Sequence, residues 1–268
     1  MKTHLLALIA TFGFAAAAQA DVLFNDTFAF GTAADAGYHR FGTTNTTLAV
    51  DGGDLDFAQT SGALARSGAY KQFASTDLAV GDSITLSFNV TMSVPSQVNH
   101  IFRWAIGTTP SSSEDLASNT PFGSGTRQMF QFAASGSTTA GFGQFVAGSS
   151  SPIHNNSGTG TQITGFTGPA SLAMNTSGSV SLTITRTDTN NYSIAQTAFG
   201  TSSSGTLTGA GYDSFNTIAF GVNTTSAASF SLDNVSVAYA AAIPEPSTYV
   251  ALVGLVALGL VASRRRRA

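Results

Sequence analysis

The residues with the most chemical potential in this 268-residue chain are its few carboxylates. Asp54 and Asp56 stand two apart, which on a strand places both side chains on one face. Glycosidic hydrolysis needs two carboxyl groups about 5–10 Å apart across the scissile bond. Asp51-Gly52-Gly53-Asp54 reads as a turn, however, and turn acids are more commonly solvated than catalytic. Glu114-Asp115 lies in a Ser-rich loop. A calcium ion takes clustered oxygens, and Asp26 and Asp233, with Asn25 and Asn234 beside them, offer these if the two ends of the chain meet. Otherwise Asp26 starts a turn and Asp233-Asn234 fill an irregularity in the last strand. Sugar stacking needs an exposed aromatic face. Trp104 is the only tryptophan, yet it shares a parity with Phe102 and Ile106, which favours the core; Tyr38 and Tyr70 are further platform candidates. His39, His100 and His154 are isolated from one another and read as loop or surface residues. Gly123-Ser124-Gly125 lacks the spacing of a nucleophile elbow, and no phosphate loop follows a strand. Without cysteine there is no disulfide and no thiolate metal site. The expectation is a non-catalytic body with no cofactor beyond a structural calcium.

The elements that would position these residues are strands. Between 21 and 242 helical periodicity is nearly absent and period-two alternation recurs. In Ser83–Val94, Ile84, Leu86, Phe88, Val90 and Met92 occupy one parity, while Thr85, Ser87, Asn89, Thr91 and Ser93 form a hydroxyl face. Ser179–Arg186 repeats the pattern. Further strands are expected at Val22–Phe24, Leu55–Phe57, Ile101–Ile106, Gln128–Ala133, Ala140–Val146, Tyr192–Gln196, Thr217–Val222 and Ser229–Tyr239. In the last of these, Phe230 and Leu232 take one parity and Val235, Val237 and Tyr239 the other, so a β-bulge is expected at Asp233-Asn234. Thr108–Thr126 and Gly148–Gly160 read as long surface loops. About ten strands with one polar face predict an all-β, antiparallel two-sheet sandwich.

Charge separates the body from its ends. The formal net charge is −3, but residues 21–242 hold six basic residues (Arg40, Arg66, Lys71, Arg103, Arg127, Arg186) against thirteen of the fourteen acids, a net of −7. Nucleic acid and anionic lipid need basic patches and are poor partners for such a body.

Both ends carry export signals. Lys2, the apolar Leu5–Ala17 and Ala18-Gln19-Ala20 read as a signal peptide over residues 1–20, cut between Ala20 and Asp21. This implies the Sec translocon and signal peptidase. At the other end, Pro244-Glu245-Pro246 is stiff and extended. The apolar run Tyr249–Ala262 follows, reaching residue 263, then Arg264, Arg265, Arg266 and Arg267. The run is roughly 22 Å of helix, short of a hydrocarbon core of about 30 Å. Four arginines resist translocation and mark the cytoplasmic side, and they extend the reach of a short helix by snorkelling. The domains expected are therefore 1–20, 21–242 and 243–268, with a transmembrane helix over 249–263.

The tail from Ile243 to Arg267 resembles the PEP-CTERM sorting signal of Gram-negative bacteria, in which a Pro-Glu-Pro motif, a short span and a terminal basic cluster occur together. The resemblance implies an exosortase as partner, a transient inner-membrane intermediate, and delivery to the cell surface or extracellular polysaccharide. The plain alternative is a single-span anchor on a proline-containing stalk. Val22–Phe28, Gly52–Phe57 and Phe230–Val237 are similar to end segments of concanavalin A-like (laminin-G-like) jelly rolls, which implies that the first and last strands lie side by side. An immunoglobulin-like sandwich is the fallback. Hydrolases of the jelly-roll class carry Glu-x-Asp-x-x-Glu, which is missing here. A carbohydrate-binding module is the alternative function, and a glycoside hydrolase a further one.

Overall fold

The computed structural model describes residues 20–29, 31–42, 45–61, 66–93, 102–116, 127–135, 141–148, 160–169, 172, 175–209, 211–224 and 226–242. Among them there are fifteen strands and no helix. In chain order they are β1 (Asp21–Asp26), β2 (Tyr38–Phe41), β3 (Thr46–Asp51), β4 (Asp54–Gln59), β5 (Ser67–Asp77), β6 (Ser83–Ser93), β7 (Phe102–Thr108) and β8 (Arg127–Ala134). They continue with β9 (Phe142–Gly148), β10 (Thr161–Gln162), β11 (Thr176–Asp188), β12 (Asn191–Ala198), β13 (Thr201–Thr208), β14 (Ser214–Val222) and β15 (Ala228–Ala240). Ala20–Ala241 form one compact unit. Residues 1–19 and 243–268 lie outside the described residues. The expected signal peptide and transmembrane helix, the Pro-Glu-Pro motif and the arginine cluster fall there. Among the described residues no helix is long and apolar enough to cross a membrane.

The expected two-sheet antiparallel sandwich is what forms. The first sheet runs β13-β12-β11-β6-β15-β4-β3, with β1 also on β15; the second runs β10-β9-β8-β7-β14-β5-β2. β6 shows why the layers pack. Ile84, Leu86, Phe88, Val90 and Met92 are all buried and project inward, toward Phe102, Trp104 and Phe220 of the second sheet. The Phe88 ring meets Phe220 edge-on at 4.9 Å between centroids, a geometry that adds to area burial.

The bulge stands where the parity slips. Asp233 pairs with Asn89, the next paired residue is Ser236 with Ser87, and Asn234 lies at φ 52°. The bulge also divides the neighbours of β15. β4 flanks it up to Leu232–Leu55, and β1 takes over from Val235–Asp26 to Tyr239–Asp21. First and last strands are therefore paired, as the jelly-roll resemblance implied. Gly52 and Gly53, at φ 63° and 97°, close the β3–β4 hairpin, since a two-residue turn of this kind needs positive φ at both positions.

The second sheet departs from simple alternation. In β7 the residues Phe102–Gly107 are all buried, and most of β8 and β14 likewise. Its outward face holds a second apolar cluster of Phe41, Tyr70, Ala105, Met129 and Ala219. Strands approach closely here: a Cβ on Gly68 would fall 1.9 Å from the Phe220 carbonyl oxygen. Of the two expected loops, Thr108 and Gly148 are strand ends, Thr109–Asp115 carries no strand, and 117–126 and 149–159 lie outside the described residues.

Candidate functional site

Several residues with chemical potential serve the fold. Trp104 is fully buried, and its Nε1 donates to Gln196 Oε1 at 3.0 Å. Tyr38 is 1% exposed, and its hydroxyl donates to Asp26 Oδ2 at 3.0 Å. Neither ring is available to stack on a sugar: Trp104 is the core residue its parity favoured, and the platform alternative is corrected for it and for Tyr38. Burial, then the Asp26 charge and hydrogen bond, push the Tyr38 phenol well above its usual range. Asp26 also takes Lys71 Nζ at 2.7 Å, and that ammonium lies 4.6 Å from the Phe24 ring centroid. Asp26 thus points between the sheets. Asp233 sits on the bulge, where its carboxylate accepts from Asn234 Nδ2. The two acids proposed to share calcium are not brought together, and among the described residues no three His, Cys, Asp or Glu converge as a metal site.

Asp54 and Asp56 share the outward face of β4, as their spacing requires, and Asp56 accepts from Ser231 Oγ. Burial, then the charges of Asp233 and Asp56, raise the Asp54 carboxyl. Asp54 follows directly on the Gly52-Gly53 turn, and Asp56 is already engaged by the Ser231 hydroxyl. Asp115 holds Arg40 through its guanidinium and backbone N–H, the latter at 2.8 Å. Burial raises the Asp115 carboxyl, but the Arg40 hydrogen bonds and charge outweigh it and the net shift is downward. Glu114 contributes its carbonyl to the Tyr70 hydroxyl at 2.6 Å. The His39 ring packs 5.5 Å from Tyr70.

What the strands do assemble is a broad hydroxyl surface. Residues opposite the buried ones face outward on the first sheet. On β6 these are Ser83, Thr85, Ser87, Asn89, Thr91 and Ser93; on β11, Ser177, Ser179, Ser181, Thr183 and Thr185. β12 adds Ser193, Ala195 and Thr197, and β13 adds Ser202, Ser204, Thr206 and Thr208. None of these positions is charged. Neighbouring strands link their hydroxyls: Thr85 with Thr183 at 2.9 Å, Thr91 with Ser177 at 2.9 Å, Thr197 with Ser202 at 3.0 Å. A shallow depression of about 370 Å³ lies among Ser181, Thr183, Thr197, Ser202 and Ser204. The β6 and β11 stripes of this surface are visible in the alternation; β13 has one apolar side chain, Leu207, and gives no period to read.

The outward face of the second sheet differs. Arg103, Arg127, Gln131 and Gln144 stand on β7, β8 and β9, and all are buried. Arg103 Cζ lies 5.4 Å from the Phe142 ring centroid, and burial, then the Arg66 charge, push its guanidinium down to about 9.

Two antiparallel sheets packed face to face, with first and last strands paired, make the body an all-β sandwich of jelly-roll type. The chain also carries a PEP-CTERM protein-sorting motif, matched over residues 242–267, which marks it for export and surface sorting. No curated protein matches the sequence significantly. Similar solved structures include lectin UEA-II complexed with galactose, at 12% identity and TM-score 0.49 over 84% of this chain and 100% of that one. The Emp46p carbohydrate recognition domain in its potassium-bound form matches at 9% and 0.48 over 83% and 97%. An endo-1,3-beta-glucanase from Streptomyces sioyaensis matches at 11% and 0.49 over 83% and 97%. Likeness at this level carries no functional weight.

Proposed function

We propose that the protein is an exported, exosortase-processed, non-catalytic component of the cell envelope or extracellular polysaccharide matrix, and that its hydroxyl face is the surface turned toward neutral polysaccharide. The observation that carries the reading is the sorting motif at 242–267 on a body whose β6, β11, β12 and β13 together present an uncharged, hydroxyl-rich surface. Non-catalysis is supported by the place of Asp54 directly after the Gly52-Gly53 turn and by the hydrogen bond from Ser231 Oγ that engages Asp56. Each Ser or Thr hydroxyl exchanges a water for a sugar hydroxyl at a net gain of about 0.5–1.5 kcal/mol at best. Contact is therefore weak per residue and gains strength only from repetition along a polymer. With no charge on the face, it is insensitive to salt.

Two measurements test this. Intact mass of the surface form from exosortase-active cells is expected to show a chain lacking Arg264–Arg267; a retained arginine cluster contradicts processing. Co-sedimentation with an insoluble neutral glucan is expected to survive high salt and to weaken in the double variant Thr183→Lys, Thr197→Lys. Equal binding by that variant removes the hydroxyl face from the account. Glucan hydrolysis abolished by Asp54→Asn would replace the non-catalytic reading with a glycosidase.

A further inference from the structure

Residues 21–242 hold a single lysine, Lys71, and it points into the sandwich. It stands on β5, opposed in register to Tyr38 of β2 on one side and Ile218 of β14 on the other. Opposed residues share a face, and Tyr38 and Ile218 both belong to the core between the sheets. An ammonium in that row has to be paired. On the facing sheet Asp26 is opposed to buried Val235, which turns its carboxylate inward as well. Lys71 Nζ donates to Asp26 Oδ2 at 2.7 Å and to the Ala36 carbonyl at 2.8 Å. The two side chains are only 13% and 17% exposed. The Phe24 and Tyr38 ring centroids lie 4.6 and 5.1 Å from Nζ, and Phe73 packs on Phe24 at 5.6 Å. The Tyr38 hydroxyl donates to the same Asp26 oxygen at 3.0 Å. Amine, carboxyl and a proton donor therefore meet in one aromatic enclosure between the sheets.

We propose that Lys71 and Asp26 condense to a side-chain amide, a covalent staple between the two sheets, with the Tyr38 hydroxyl as the donor that assists the step. No co-reactant is needed. One proton passes from Nζ to the carboxylate, leaving an amine and a carboxylic acid. The Nζ lone pair attacks Cγ, and the oxygen that gains charge accepts the Tyr38 hydrogen bond, the arrangement that stabilises a developing oxyanion. The C–O bond then breaks, and that oxygen leaves as water with the acid proton and one proton from nitrogen. One carboxylate and one ammonium give one amide and one water, with no change in net charge. Burial, then the Asp26 charge, raise the Tyr38 phenol, so it keeps its proton and remains a donor. Groups held in contact react as if at about 10⁵–10⁸ M, and the enclosing rings limit the water that would reverse the step. The chain has no cysteine, so this amide would close a loop between positions 45 apart as a disulfide does elsewhere.

The test is peptide mapping of the full-length protein, unfolded in strong denaturant and digested with trypsin. Trypsin is expected not to cut after Lys71. The peptide that ends at Arg40 is expected to appear joined to the one that begins at Ser67, the pair lighter than its two parts by one water. A free Ser67–Lys71 peptide in the wild type, with the Asp26 peptide unlinked, overturns the proposal and leaves an ordinary ion pair. Lys71→Arg keeps the cation and is expected to abolish the link; a link in that variant overturns the assignment to Lys71. Tyr38→Phe keeps the ring and removes the donor. It is expected to slow closure about 10²-fold or more, the effect of losing one oxyanion donor, read as the linked fraction against time after synthesis. Closure at the wild-type rate overturns the role of Tyr38.

Discussion

The two outward faces of the sandwich use the same backbone geometry for opposite ends. On β6, β11, β12 and β13 the outward side chains are short, uncharged and mostly in contact with water. On β7, β8 and β9 the outward positions are buried, with Ala105 and Met129 beside Arg103, Gln131 and Gln144. A strand wet on one side needs only alternation. One buried on both sides must also match the volume and the polar partners of whatever covers it. The second sheet's outer face is therefore part of the body's stability, and the first sheet's outer face is free to meet something outside the protein.

The strongest way to break this contrast is to place the same charge on each face. Ala105→Glu is expected to destabilise by about 3–5 kcal/mol, because it buries a carboxylate without a built partner. Ser181→Glu is expected to change stability by no more than about 0.5 kcal/mol. Paired urea melts read both, and equal effects would erase the difference between the faces. Alkaline titration comes next. Burial raises the phenols of Tyr38, Tyr70, Tyr192 and Tyr212, so the fold favours their neutral forms. That stability is fully present below the ordinary tyrosine value of about 10 and drains away as pH rises past it. Tyrosinate absorbance is expected to appear in one step with unfolding; gradual ionisation in a still-folded chain would show that the rings are wet. A smaller effect is expected from Gln131, whose Oε1 is buried without a hydrogen-bond partner among the described residues. Gln131→Leu is expected to gain about 1 kcal/mol by removing that unmet acceptor, and a loss would show that the amide is used in place.

The sheets differ in the same way in how far they can be read from sequence. β6 and β11 alternate cleanly and are wet on one side, so both their existence and their inward residues follow from parity. The bulge at Asp233-Asn234 follows from a parity slip within β15. The burial of Trp104 follows from its parity with Phe102 and Ile106. β5 could not be found this way: Ser67–Tyr70 are buried on both faces and leave no alternation. β13 could not either, for the opposite reason: its outward and inward positions are nearly all small and polar. Without β13 the stripes of β6 and β11 remain, but the full width of the surface across four strands cannot be read. Buried Tyr38 is joined to Asp26, which in turn holds Lys71 45 positions away, a contact that no local pattern encodes.

Because the chain has no cysteine, single substitutions can test export and the inequality of the faces together. Ser181→Cys and Ala105→Cys would each be expressed in intact cells and treated with a membrane-impermeant maleimide. The account predicts labelling of Ser181→Cys from outside and none of Ala105→Cys until the protein is denatured. Labelling of Ser181→Cys only after cell lysis, or equal labelling of the two positions on intact cells, would contradict it.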